Sequence, residues 1–241
     1  SIEGDVNRGA GALLSSRGVE TVISVDAGEF WVFFVLIAVL ITGLVAGFLP
    51  QTEGTRLALL AWQQLLFIVG GTLGARKEVF HRPDGKTLAG GLISGIGLYV
   101  VNTVLGLISV WVALEVLGSA MVQNLTMFER AGVEALLASN KPLAFFGMVF
   151  LLTLVAPIGE ELFFRGLLVD LWKDRMGTKR AIFLAALVFA LLHFYVLQFI
   201  PVLIAGILLG ILFVRSENVF VPIIAHATVN SLVLFFWFLG L

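Results

Sequence analysis

From Phe30 to the end of the chain, runs of apolar residues about twenty long alternate with short polar breaks. A helix rises 1.5 Å per residue, so about twenty apolar residues span the hydrocarbon of a bilayer. That repetition restricts the fold to an all-α, polytopic transmembrane helical bundle, because backbone polar groups in lipid must be satisfied within the structure. Seven spans are expected, at about 30–49, 57–75, 88–117, 143–172, 181–198, 199–214 and 219–241. Hydrophobic residues make up 59% of the 241 and charged ones 13%, with a mean hydropathy of +1.05, far from the balance of a soluble domain.

The domain reading follows the same pattern. Residues 1–29 form a polar lead-in without the basic-then-apolar order of a signal peptide, and residues 30–241 form one transmembrane helical domain. The third and fourth spans exceed the hydrocarbon thickness and must tilt, protrude or break. Pro157 offers a break in the fourth, since it has no amide hydrogen for the carbonyl one turn earlier. The fifth and sixth are so close that they must form a tight hairpin or be partly re-entrant. Between the third and fourth spans, Leu125, Phe128, Leu136 and Leu137 recur at helical spacing, as in an interfacial helix. Gly91 with Gly95, and Gly206 with Gly210, have the small-xxx-small spacing that lets helices approach closely.

Basic residues are distributed unevenly over the breaks. Arg8, Arg17, Arg76, Lys77, Arg82, Lys86, Lys173, Arg175, Lys179, Arg180 and Arg215 fall on one side, and Arg56, Arg130 and Lys141 on the other. The excess marks the cytoplasmic side, so the N-terminus is expected in the cytoplasm. The membrane would be the plasma membrane in a prokaryote or the endoplasmic reticulum in a eukaryote. A formal net charge of −1 gives no reason to expect nucleic acid as a partner. The absence of cysteine excludes disulfides, thiol nucleophiles and thiolate metal sites. No feature sets an oligomeric state.

Ionisable residues inside such spans are costly and usually functional. The fourth span holds Glu160, Glu161 and Arg165; the fifth holds His193; the last holds His226 and Asn230. On the expected topology Glu160, His193 and Asn230 each lie about 18 Å from their cytoplasmic ends, and His226 one turn nearer on the face of Asn230. Glu161 and Arg165, four apart, form an intramembrane ion pair with a supporting role. Glu160 points about 100° away and has no partner in its own helix, which suits a general acid or base. A rotation of that helix would exchange the two glutamates. Gln63, Gln64 and Asn102 either bond between helices or line a water path.

The residues alone leave several chemistries open. No His-Glu-x-x-His helix, deep aspartyl pair or Gly-x-Ser-Gly motif is present, so glutamate and histidine activating water remains. Glu160, His193 and His226 also make a two-histidine, one-carboxylate set of the type that binds zinc, so a zinc-dependent membrane hydrolase is an alternative. A non-catalytic scaffold or chaperone is another, while the lack of an internal repeat weighs against a transporter.

Glu160-Glu161-x-x-x-Arg165, Phe189-x-x-x-His193 and His226-x-x-x-Asn230, in this order over residues 143–235, resemble the CAAX protease and bacteriocin-processing enzyme family, which includes the type II CAAX prenyl endopeptidases. The resemblance implies a helical bundle around a polar cavity open to the cytoplasm, and a glutamate intramembrane protease without cofactor or metal. It implies that Glu160 and His193 activate water, that His226 and Asn230 stabilise the oxyanion, and that Glu161 and Arg165 support the geometry. The implied partners are membrane lipid and a peptide or prenylated protein, from whose C-terminus a tripeptide is removed.

Overall fold

The computed structural model describes residues 27–240, and the described residues form helices with no strand among them. The elements are α1 (Ala27–Ala46), α2 (Glu53–Gly74), α3 (Gly85–Leu117), α4 (Ser119–Leu137), α5 (Pro142–Met176), α6 (Thr178–Leu192), α7 (Phe199–Ser216) and α8 (Phe220–Phe238). The expected lead-in falls outside the described residues except for Ala27, Gly28 and Glu29, which already belong to α1.

All of these helices except α4 and α6 are long and apolar enough to cross a membrane, which makes six candidate spans where seven were expected. The fifth expected span is the exception. At 15 residues α6 reaches only about 22 Å, short of a hydrocarbon core of about 30 Å. It stops because Phe194 turns into the left-handed region at φ 55°, and because the next amides are taken elsewhere. The Glu129 carboxylate of α4 accepts from the backbone N–H of Val196 at 2.6 Å and of Leu197 at 2.7 Å. The pair α6–α7 is therefore a helical hairpin whose turn stays at mid-bundle, capped by a side chain from another helix.

One end of the bundle collects the start of α1, the ends of α2, α5 and α7, and the start of α8. Glu29 pairs with Arg175, Arg76 pairs with Asp170 at 3.3 Å and with Asp174, and Val219 N–H bonds the Val79 carbonyl at 3.0 Å. Beside it, Asp84 caps α3, and bonds from the Thr87 amide and hydroxyl hold its carboxyl below the usual carboxylate range. The main core fills this half of the bundle with Val35, Phe67, Phe163, Leu168, Phe213 and Val219. The opposite half is covered by α4, where Leu136 and Leu137 bury against Ala144 and Met148 while Phe128 stays exposed.

The glycine spacings act as the sequence indicates. A Cβ on Gly91 would sit 2.6 Å from Ile224 of α8, and one on Gly95 2.5 Å from Thr228, so α3 and α8 pack almost backbone to backbone. Gly206 and Gly210 bring α7 against Ala186 and Ile182 of α6 in the same way. Outward faces carry large exposed apolar side chains, such as Phe33, Ile37 and Leu44 on α1 and Ile93, Leu107 and Trp111 on α3. In water such faces would drive aggregation; in a bilayer they meet lipid tails.

Candidate active site

The site is built around α5, which stays continuous through Pro157 instead of breaking there. It does so by widening into a π turn over Leu151–Val155, in which the Ala156 N–H bonds the Leu151 carbonyl. In that register the next acceptor, Leu152, faces the nitrogen of Pro157, which has no hydrogen to give. Asn230 of α8 supplies the missing donor, its Nδ2 lying 2.8 Å from the Leu152 oxygen. A second π turn, Leu162–Val169, follows the glutamates.

Glu161 and Arg165 form the ion pair expected of them, Nη1 to Oε1 at 2.9 Å, and both are sealed, with Glu161 0% and Arg165 1% exposed. The guanidinium also donates through Nη2 to the Gly206 carbonyl of α7 at 3.0 Å, and lies 4.8 Å from the Phe189 ring centroid of α6. Arg165 thus ties three helices together. His226 joins the same carboxylate: its Nδ1 is 2.8 Å from Glu161 Oε1, so Nδ1 carries the proton. The other ring nitrogen, Nε2, faces Glu160 Oε2 at 3.9 Å.

Glu160 differs from its neighbour in having a way out. Its Oε1 accepts from Gln64 Nε2 of α2 at 3.1 Å, and its side chain borders a cavity of about 220 Å³. Gln63, Gln64, His193 and Tyr195 line that cavity too, and the remaining wall is apolar, including Leu60, Val133, Met148, Leu152 and Phe189. His193 caps the end of α6 with Nδ1 2.8 Å from the Phe189 carbonyl. A carbonyl only accepts, so Nδ1 is the protonated nitrogen, and the neutral ring keeps Nε2 as a proton acceptor.

The structure therefore brings Glu160, Glu161, Arg165 and His226 into one contact cluster, with His193 lining the cavity that Glu160 borders. Asn230 is joined to it through Leu152, whose side chain lines the cavity wall. His226 and Asn230 are not lining residues. Tyr195 and Glu129 were not singled out by the sequence. Both act through the α6–α7 turn, where no apolar periodicity points to them. Among the described residues no three His, Asp or Glu side chains converge as a metal-holding group. Glu160, His193 and His226, the set considered for zinc, are not gathered into such a group.

The cavity is lined by Val133 of α4 together with residues of α2, α5 and α6, and it adjoins the main core at Phe67, Phe164 and Phe189.

Comparison with known proteins agrees with the motif reading. Neither the curated proteins nor the solved structures include a match to this chain. Residues 142–232, which run from the first turn of α5 into α8 and contain Glu160, Glu161, Arg165, His193, His226 and Asn230, match the family model described as Type II CAAX prenyl endopeptidase Rce1-like. The match supports the CAAX protease family for this motif-bearing segment, and with six apolar spans it describes a CAAX-protease-like integral membrane protein.

Proposed function

We propose that the protein is an intramembrane endopeptidase in which Glu160 and His193 activate water against a peptide bond. The observation that carries this reading is that Glu160 and His193 line one cavity, His193 with its Nδ1 engaged by a backbone carbonyl, while Glu161 and Arg165 are sealed away from it. A water between Glu160 Oε2 and His193 Nε2 loses a proton to one of them as its oxygen adds to the scissile carbonyl carbon. The tetrahedral intermediate collapses, the C–N bond breaks, and the same proton passes to the leaving amine.

The oxyanion needs donors. Asn230 Nδ2 has a second hydrogen beyond the one given to Leu152, and His226 Nε2 donates when the ring is protonated. The Tyr195 phenol, already in the cavity wall, is a further donor. Glu161 and Arg165 act by holding His226 and α5 in place.

The mainly apolar wall suits a hydrophobic or prenylated peptide entering from the membrane. The basic end is assigned to the cytoplasm, with the N-terminus inside. The test is cleavage of a quenched-fluorescent farnesylated CAAX peptide by purified protein in detergent, with and without a chelator. Chelator-resistant release of the C-terminal tripeptide is expected. Loss of cleavage on chelation, restored by zinc, would contradict the reading. No cleavage of prenylated or unprenylated peptides would favour the scaffold.

A further inference from the structure

Gln64 lies on α2, outside the residues matched by the family model, yet it makes the direct hydrogen bond to Glu160. It is 6% exposed and borders the same cavity. Burying an amide in a membrane helix costs free energy unless its groups are paired, and Gln64 is only half paired: its Oε1 is buried without a partner. Reversing the amide would set Oε1 against the Glu160 oxygen, two acceptors face to face. The observed orientation keeps the stronger, charge-assisted bond to the carboxylate and leaves the weaker need unmet.

The surroundings are shaped to admit this side chain. A Cβ on Gly159, the residue before Glu160, would lie 2.9 Å from Gln64 Oε1 and 3.1 Å from the Gln64 carbonyl oxygen. A Cβ on Gly71, two turns further along α2, would lie 2.6 Å from the Leu162 carbonyl carbon. Close approach at these two glycines brings α2 against α5 on either side of the glutamates. The groups that face Glu160 are then distinct in direction. Gln64 comes from α2 and His226 from α8, Glu161 and Arg165 share α5, and His193 and Tyr195 line the same cavity.

We infer that Gln64 is a positioning residue for the reaction. Its amide engages Oε1 of Glu160 and so leaves Oε2 as the oxygen that meets the water and His226. This inference rests on the reading of Glu160 as a proton acceptor, and the experiment separates the two.

Gln64→Met keeps the length of the side chain and removes the donor. Turnover of the farnesylated peptide is measured for wild type, Gln64→Met, Gln64→His and Glu160→Gln, with melting temperatures in the same detergent. In Gln64→Met, kcat should fall about tenfold to a hundredfold, the worth of one charge-assisted hydrogen bond, with little change in KM. Gln64→His, which restores an N–H donor, should recover part of kcat. A folded Gln64→Met with wild-type kcat overturns the inference. If Gln64→Met does not fold, Gln64→Asn, with the amide held back by one methylene, takes its place and a wild-type kcat has the same meaning. Activity in Glu160→Gln overturns the underlying reading instead, whatever Gln64 does.

Discussion

Asn230 gives its amide hydrogen to the Leu152 carbonyl at 2.8 Å, the carbonyl that the π register of α5 points at the nitrogen of Pro157. A residue of the third motif thus completes the backbone of the helix that carries the first. Replacing Asn230 with Ala should lower stability by about 1–3 kcal/mol, the cost of leaving a buried carbonyl unpaired. With Pro157→Ala, which returns an N–H to that position, the loss should be smaller. Thermal melts of the two single variants and the double variant measure the coupling; strictly additive losses would show that Asn230 does not serve this carbonyl.

Arg165 is held at two oxygens on two helices, Glu161 Oε1 at 2.9 Å and the Gly206 carbonyl at 3.0 Å, beneath the Phe189 ring. A lysine cannot present the same planar fork. Arg165→Ala should cost about 3–5 kcal/mol, since it takes the guanidinium from a buried carboxylate and leaves it the His226 bond alone. Arg165→Lys should recover less than half of that in the same melts; full recovery would mean that charge alone is required.

Orientation is open to a clean labelling experiment, because the chain has no cysteine. Asn140 and Lys179 are exposed at opposite ends of the bundle, in the α4–α5 connection and the first turn of α6. With the basic end cytoplasmic, a membrane-impermeant maleimide added to intact cells should label Asn140→Cys and spare Lys179→Cys. The reverse pattern would put the basic end outside and contradict the expected topology.

Much of this was legible in the residues. The Glu161–Arg165 pair follows from spacing on one helix, and the Gly91 and Gly95 contacts with α8 from the small-residue repeat. That the two glutamates face different surroundings follows from the turn between them; which of them borders the cavity does not, because a rotation of the helix exchanges them. Other features depend on distant partners. The length of α6 is set by Glu129, 67 residues away from Val196, and no hydropathy pattern marks a carboxylate that caps a buried turn. The freed carbonyl near Pro157 was expected one turn back on an α register; the π turn moved it to Leu152. The lining of the cavity was hidden because it is decided by how side chains of α2, α4, α5 and α6 pack, and hydropathy does not report on that.

The central claim is that Glu160 carries the chemistry while Glu161 carries the structure. It is tested most directly by kcat of Glu160→Gln on the farnesylated peptide, measured on protein that melts within a few degrees of wild type. The account predicts a fall of about a hundredfold to ten-thousandfold, the range for a lost general base. Turnover by the folded variant within tenfold of wild type would contradict it.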